Sequence, residues 1–226
     1  MKLVIFDCDG TLIDSQHVIF AAMRRTFVRH GLPPPDQAAV RSVVGLSLPI
    51  AIGKLLPQGT ESRVETLTDT YRATFGELRA DPGHAEPLFP GAREAVAALH
   101  ARGDVVLGIA TGKSRRGVAH VLALHGLDPY FTTVQTADIH PSKPHPAMIE
   151  YAMLETGVPA RHTAMVGDTS YDMIMATAAG VVPIGAGWGY HSAADLETAG
   201  AMAVVPDFPS LGVALDRLLF EREEAP

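Results

Sequence analysis

The stretch MKLVIFDCDGTLIDS, residues 1–15, is the part of this chain that decides the fold. Residues 2–6 form a short apolar run with β-branched side chains, which is typical of a strand buried on both faces in a parallel sheet. The run leads directly into two carboxylates, Asp7 and Asp9, which only Cys8 separates. Because like charges at this spacing repel, the pattern indicates a turn, a bound metal ion or a reaction at this point.

Similar apolar runs recur along the chain and alternate with segments of helical character. The predicted strands after the first are residues 105–110, 163–166, 181–184 and 203–205. The predicted helices between them are residues 92–101, 116–125, 147–156, 171–179 and 192–199. Alternation of strand and helix is the signature of an α/β fold, and we predict a Rossmann-like core with a doubly wound parallel sheet.

Residues 15–85 interrupt this alternation, because their apolar positions have helical spacing and no buried strand is evident among them. Three consecutive prolines at 33–35 punctuate the interval, and a proline-containing segment at 81–91 leads back to the alternating pattern. We therefore predict a catalytic core of residues 1–14 and 86–226, with an inserted α-helical cap of residues 15–85.

The composition limits the classes of function. The 226 residues are 47% hydrophobic and 19% charged, as in a globular protein with a substantial core. A formal net charge of -7 argues against nucleic acid or an acidic membrane surface as a partner. The single cysteine cannot form an intramolecular disulfide, and no secretion signal or membrane-length apolar run is visible, so we expect a cytoplasmic protein. The sequence is compatible with either a monomer or a homodimer.

Polar residues that follow the apolar runs are the candidates for chemistry, because ligands of open α/β sheets bind beyond the carboxyl ends of the strands. The candidates are Asp7, Asp9, Thr111, Gly112, Lys143, Asp168 and Asp172. Taken singly, each fits a turn, a helix cap or a solvated lysine. These structural roles do not explain why carboxylates, a hydroxyl group and a lysine should all lie at one edge of a sheet. Their convergence favours a reaction at that edge. Cys8 is predicted to pack in the core.

Phosphoryl transfer is the chemistry that needs such a set. Clustered carboxylates suit Mg²⁺, which also offsets the repulsion between them. One carboxylate can attack phosphorus while a second protonates the leaving oxygen and then activates water, and Asp7 and Asp9 divide these roles naturally. The Thr111 hydroxyl, the Gly112 N–H and the Lys143 ammonium are the predicted donors to the phosphoryl oxygens.

Four motifs appear in the order found in the haloacid dehalogenase-like hydrolase superfamily, and the chain resembles its subfamily with a helical cap. The motifs are DCDGTLIDS at 7–15, ATGK at 110–113, PSKPHP at 141–146 and GDTSYD at 167–172. The resemblance implies that Asp7 is the nucleophile, that Asp9 is the acid/base, and that Thr111 and Lys143 hold the phosphoryl group. It also implies Mg²⁺ on Asp7, on the main-chain carbonyl oxygen of Asp9 and on Asp168. Asp172 would hold metal-bound waters or orient Lys143.

The first motif also bears on the reaction. The second aspartate, Asp9, disfavours dehalogenation, and Asp-Gly-Thr rather than Asp-Gly-Val favours a phosphatase resembling the phosphoglycolate phosphatases. The predicted activity is hydrolysis of a small phosphate monoester through an aspartyl phosphate, with a small phosphorylated metabolite as partner. A phosphomutase resembling β-phosphoglucomutase and a catalytically silent phosphate-binding module are the alternatives.

The segment VVGLSLP, residues 43–49, resembles the cap loop that faces the substrate in these phosphatases. Gly45 would permit a tight turn, and Ser47 would meet the leaving group. An ordinary loop between helices is the alternative. The second motif departs from the Thr-Asn-Lys of many relatives, because Gly112 stands where they have asparagine, which removes a side-chain contact and keeps the N–H.

Overall fold

The computed structural model describes residues 1–221, so the last five residues of the predicted core lie outside the described residues. Within that range the strands form one parallel sheet in the order β3-β2-β1-β4-β5-β6. The strands are β1 (Lys2–Phe6), β2 (Val105–Thr111), β3 (Phe131–Thr136), β4 (Thr163–Gly167), β5 (Val182–Ala186) and β6 (Ala203–Val205). The predicted α/β, Rossmann-like fold is confirmed.

Four helices lie within residues 15–85, the interval predicted to form the cap. They are α1 (Gln16–Arg29), α2 (Gln37–Arg41), α3 (Leu48–Leu55) and α4 (Glu61–Arg79). Apolar side chains from all four helices form a separate small core, which includes Met23, Val40, Ile52 and Leu67. The helical character expected for this interval is thus present, and we refer to these helices with their loops as the cap.

The remaining helices cover the two faces of the sheet. They are α5 (Ala92–Ala101), α6 (Arg115–Leu124), α7 (Ala147–Thr156), α8 (Ser170–Ala178), α9 (Ala193–Thr198) and α10 (Phe208–Leu215). Val4 and Phe6 of β1 belong to an apolar cluster with residues of α5, α6 and α10. Leu3 and Ile5 belong to a second cluster with residues of α7 and α8. Because β1 is buried on both sides, nearly all of its side chains must be apolar, as the sequence has them.

Two elements were missing from the sequence prediction. The strand β3 has the polar sequence FTTVQT and lies at the edge of the sheet. Two of its polar side chains have a hydrogen-bond acceptor on α7. Thr133 Oγ1 and Gln135 Nε2 donate to Glu155 Oε2 over 2.5 and 2.8 Å. The helix α10 was also missed. The strand predicted at 181–184 is present but shifted, because β5 begins at Val182 and Gly185 and Ala186 also pair with β6.

No helix within residues 1–221 combines the length and the apolar composition that crossing a bilayer requires.

Candidate active site

The candidate site lies at the carboxyl edge of the sheet, where three neighbouring strands end. β1 ends at Phe6, β2 ends at Thr111 and β4 ends at Gly167. The main-chain N–H of Asp7 donates to Val166 O over 2.9 Å, which extends the contact between β1 and β4 by one residue. Parallel pairing therefore brings Asp7, Thr111 and Asp168 to the same edge.

Three of the predicted site carboxylates meet in one buried cluster. One oxygen each of Asp7, Asp168 and Asp172 lies within 4.8 Å of the other two. The Lys143 ammonium lies 2.8 Å from Asp7 Oδ2 and 2.6 Å from Asp172 Oδ1. Three carboxylates against one ammonium leave two negative charges unbalanced. Oxygen ligands and an excess charge of this sign suit a hard divalent cation such as Mg²⁺.

The pKa values of the group formed by Asp7, Asp168, Asp172 and Lys143, which we call the core cluster, also indicate a cation site. Burial raises the pKa of Asp7 to about 7, with Lys143 opposing and Asp172 adding to the shift. Burial and the charges of Asp7 and Asp172 raise the pKa of Asp168 as well. Burial alone lowers the pKa of Lys143, but the attraction of Asp172 and Asp7 outweighs it and raises that pKa. A bound cation would relieve the repulsion that these shifts express.

The side chain of Asp168 is fixed by its neighbours. Thr11 Oγ1 donates to Asp168 Oδ1 over 2.8 Å, and the Tyr190 N–H donates to Oδ2 over 2.9 Å. A Cβ atom on Gly10 or on Gly189 would lie 2.1 Å from an atom of Asp168. Glycine is required at both positions because the two loops enclose this carboxylate.

Asp172 is held by the start of helix α8. Its Oδ2 accepts hydrogen bonds from Thr169 N–H and Thr169 Oγ1 over 3.1 and 2.6 Å, in a capping box. Its other oxygen remains directed at Lys143. The motif at 167–172 thus supplies both a helix cap and a charged member of the cluster, and the two interpretations of the sequence are compatible.

The carboxylate of Asp9 lies outside that cluster. Its Oδ1 accepts hydrogen bonds from Ser15 Oγ over 2.6 Å and from Lys113 Nζ over 2.7 Å. The chain leaves the extended conformation after β1, because the N–H groups of Leu12 and Ile13 both donate to Cys8 O. Alternation along an extended strand would put the Asp7 and Asp9 side chains on one side of the sheet, but the extended conformation ends before Asp9. The resemblance implies a metal contact through the main-chain carbonyl oxygen of Asp9, which does not depend on where its carboxylate lies.

Cys8 is fully buried in the larger apolar cluster, which confirms its predicted packing role. Burial raises the pKa of its thiol, and the Asp9 charge adds to that shift. Both shifts favour the neutral thiol, which packs as a small apolar group.

A second charged cluster connects Asp9 to the cap, and sequence reasoning did not find it. Lys113 Nζ lies 3.1 Å from Glu86 Oε1, and Arg79 Nε of α4 lies 2.6 Å from Glu86 Oε2. The ring of Phe75 lies 5.4 Å from Lys113 Nζ and 4.9 Å from Arg79 Cζ. One sequence signal existed: Glu86 is a charged residue between prolines and apolar residues in the segment that returns to the core.

A cavity of about 880 Å³ lies over this edge of the sheet. Its wall includes Asp7, Asp9, Thr111 and Gly112 from the core, and Gly45 and Ser47 from the cap loop. Lys143 is only 1% exposed and contacts Asp7 from behind the cavity wall. The structure therefore brings the predicted catalytic and substrate-binding residues to one place.

The cap loop rests directly on the core. A Cβ atom at Gly112 would lie 2.5 Å from Gly45 O and 2.6 Å from Leu46 O, so asparagine at this position would not fit beside the loop as it stands. The Ser47 N–H donates to Ser142 Oγ over 2.8 Å. Gly45 has a φ of 93°, which confirms the tight turn expected there. The glycine of the second motif is thus explained by the close approach of the cap.

Comparison with known proteins agrees with this site. Residues 4–186 match the family model described as haloacid dehalogenase-like hydrolase. The chain is 39% identical over 222 residues to the probable phosphatase IndB of Dickeya dadantii, covering 96% of this chain and 94% of that protein. It is 34% identical over 219 residues to a phosphoglycolate phosphatase of Rhodospirillum rubrum, covering 93% and 89%.

Among solved structures, the crystal structure of a predicted phosphatase from Clostridium acetobutylicum superposes with a TM-score of 0.86 at 25% identity. The match covers 96% of this chain and 99% of that chain. The match of the family model over most of the chain and the identity to these relatives lead to one assignment: the chain belongs to the haloacid dehalogenase-like hydrolase family, as a phosphatase similar to the phosphoglycolate phosphatases.

Proposed function

We propose that this phosphatase hydrolyses a small phosphate monoester in two steps, through a phosphorylated Asp7 and with Mg²⁺ as cofactor. The observation that carries the proposal is the buried cluster of Asp7, Asp168 and Asp172 around Lys143, with its two unbalanced negative charges. Asp7 lines the cavity, so a substrate can reach it. The proposed division is a core of residues 1–14 and 86–226 and a cap of residues 15–85.

Asp7, Asp168 and Asp172 present the oxygen atoms that would hold the ion, together with the carbonyl oxygen of Asp9. When bound, Mg²⁺ would neutralise charge on the phosphoryl oxygens and keep the Asp7 carboxylate ionised. Lys143 would balance further charge, and the Thr111 hydroxyl and the Gly112 N–H would donate to the phosphoryl oxygens.

In the first step, a carboxylate oxygen of Asp7 forms a bond to phosphorus while the bond from phosphorus to the ester oxygen breaks. Asp9 gives its proton to the departing alkoxide, which leaves as an alcohol. Ser15 and Lys113 both donate to Oδ1 of Asp9. We therefore assign the proton transfer to Oδ2.

In the second step, water attacks phosphorus, Asp9 takes its proton, and the bond between Asp7 and phosphorus breaks. The products are inorganic phosphate and a free Asp7 carboxylate. Gly45 and Ser47 of the cap loop would contact the substrate and exclude other water during the first step, and movement of the cap would then admit the hydrolytic water.

The test is phosphate release from a panel of glycolate, sugar and nucleotide monoesters, with and without Mg²⁺. We expect Mg²⁺-dependent release by the wild type and none by Asp7→Asn, because the amide is nearly isosteric but is not a nucleophile. Asp104→Asn, a substitution of an exposed aspartate, is the matched control and should keep full activity. Wild-type turnover by Asp7→Asn would remove Asp7 from the mechanism, and isomerised sugar phosphates in place of free phosphate would indicate a mutase.

A further inference from the structure

We infer that the organic group of the preferred substrate is larger than glycolate, uncharged and mainly apolar, and that it carries an oxygen acceptor for Arg79. This inference rests on the proposed phosphatase function and specifies its substrate class. It would set the chain apart from relatives named for phosphoglycolate.

The size of the cavity is the first argument. Pockets of roughly 300–1,000 Å³ hold ligands of drug size and bury most of their surface. A cavity of about 880 Å³ is near the top of this range, although phosphoglycolate adds only a two-carbon carboxylate to its phosphate.

The cavity keeps this size with the cap against the core. Gly45 and Leu46 carbonyl oxygens already approach Gly112 closely, and the Ser47 N–H is bonded to Ser142 Oγ. On the other side of the loop, Tyr171 Oη donates to Ser42 O over 2.8 Å. The volume is therefore not the result of a cap held away from the sheet.

The wall contributed by the cap is the second argument. The cap side chains that line it include Ile19, Met23, Val40, Val44, Leu48 and Phe75. They come from α1, from α2, from the loop after α2 and from α3 and α4. A small, strongly hydrated carboxylate would leave this apolar surface uncovered, whereas a larger apolar group would remove it from water.

The charges near the acid/base are the third argument. Lys113 is held between Asp9 and Glu86, and Arg79 is held by Glu86, so two cations already face two carboxylates. Each cation of this second cluster already has a carboxylate partner, so a substrate carboxylate would have to compete with Asp9 or Glu86 for it. An uncharged organic group would not.

Arg79 nevertheless has one donor atom without a partner. Its Nε is bonded to Glu86, while its Nη2 is buried and makes no hydrogen bond within residues 1–221. The residue lines the cavity beside the Phe75 ring. A buried donor needs an acceptor, and because the arginine charge is already matched, a carbonyl or hydroxyl oxygen suits it.

The first test measures kcat/KM for phosphoglycolate, benzyl phosphate, ribose 5-phosphate and the four ribonucleoside 5′-monophosphates, all with Mg²⁺. We expect at least one of the larger esters to exceed phosphoglycolate by about tenfold or more. Phosphoglycolate as the best substrate would overturn this inference and leave the proposed function intact. Absence of Mg²⁺-dependent release from every ester would overturn both.

The second test narrows the cavity. Ile19→Trp on α1 should lower kcat/KM for the best larger ester by about tenfold more than for phosphoglycolate. Val28→Trp is the matched control, because Val28 lies on the same helix, is 59% exposed and does not line the cavity. It should leave both values unchanged. An equal loss with both esters in Ile19→Trp would overturn the inference.

The third test addresses Arg79 itself. Arg79→Lys keeps a cation for Glu86 but removes the donor Nη2, so KM should rise for esters with an oxygen acceptor more than for benzyl phosphate. Arg29→Lys is the control, since the pair of Arg29 with Glu77 also joins α4 but is exposed. A loss in Arg79→Lys that is the same for all esters would mark Arg79 as purely structural and overturn its assignment.

Discussion

The two buried lysines of the site have similar partners and different surroundings. Lys143 lies 2.8 Å from Asp7 and 2.6 Å from Asp172, and Lys113 lies 2.7 Å from Asp9 and 3.1 Å from Glu86. Around Lys143 a third carboxylate, Asp168, creates an excess of negative charge. Around Lys113 a second cation, Arg79, removes the excess.

This difference fits the two roles proposed for the site, which are metal binding with nucleophilic attack and acid/base catalysis. An unbalanced cluster at rigid strand ends is suited to a divalent ion and a nucleophile, because added positive charge stabilises it. In the second cluster each cation has a carboxylate partner, so this cluster needs no ion, and under the proposed mechanism it would hold Asp9 in a fixed position. Since Arg79 belongs to the cap and Asp9 to the core, the second cluster also joins the two regions.

The largest effect is expected for Lys143→Met. Loss of the ammonium leaves three buried carboxylates, so the free energy of unfolding should fall by about 3–5 kcal/mol without Mg²⁺. Activity should fall by roughly 10³-fold, since a donor to the phosphoryl group is lost. Urea unfolding and phosphate release measure the two effects.

A double variant sharpens this result. Lys143→Met with Asp172→Asn removes one charge of each sign, so it should regain part of the lost stability and none of the activity. If the double variant were no more stable than Lys143→Met, repulsion within the core cluster would not be the cause of the loss.

A smaller effect is expected for Lys113→Met. Asp9 would keep its hydrogen bond from Ser15 and lose its ion pair, so kcat should fall by about 10²-fold, in line with the contribution of a positioned acid/base. The loss of stability should be about 2 kcal/mol, because the cluster loses one of two cations. Arg115→Met, at an exposed position two residues away, is the control. Unchanged kcat would mean that Lys113 does not position Asp9.

The imbalance of the core cluster also predicts a pH dependence. The folded pKa of Asp7 is about 7 against an ordinary 3.8, so between these values the metal-free folded protein holds a proton that the unfolded chain has lost. Stability is therefore lost as pH rises from about 4 through about 7, by up to about 1.4 kcal/mol per pH unit for one proton. Mg²⁺ replaces that proton, so it should raise the Tm more at pH 8 than at pH 6. Equal shifts at both pH values, or the same profile in Asp7→Asn, would contradict this.

Much of the core cluster could be predicted from the sequence because strand pairing is regular. A run that is apolar on both faces must be a central strand, and the polar residues after such strands must meet at one edge. The limit appears just after Asp7, where the chain turns and the Asp9 carboxylate takes partners outside the core cluster. Alternation carries no information once the extended conformation ends.

The second cluster could not be predicted in this way. Arg79 ends a cap helix, and Glu86 lies in an irregular segment, so no periodic pattern relates either residue to Lys113. Their pairing results from the packing of the cap on the core. The same limit applies to β3, because the hydrogen-bond partner of its polar side chains, Glu155, lies on a helix that follows it in the chain.

The smallest effect on kcat is expected for Glu86→Gln. This substitution tests whether the second cluster contributes to stability and to kcat because it is buried. The matched control is Glu77→Gln, since Glu77 also pairs with an arginine and the two distances are 2.7 and 2.6 Å. The side chain of Glu77 is 54% exposed, and that of Glu86 is 2% exposed. Water screens the first pair, so its loss should change the free energy of unfolding much less than the loss of the second pair, with no change in kcat.

Glutamine at 86 keeps the shape of the residue and removes a buried charge that pairs with both Lys113 and Arg79. The free energy of unfolding should then fall by about 2 kcal/mol. Lys113 would pair with Asp9 alone, and the resulting tighter pair should hold the Asp9 carboxylate away from its best position for catalysis, which should lower kcat a few-fold with little change in KM. If Glu86→Gln and Glu77→Gln behaved alike in unfolding and in kcat, the pair at the edge of the cavity would be no more than a surface ion pair, and the cap would not influence the acid/base.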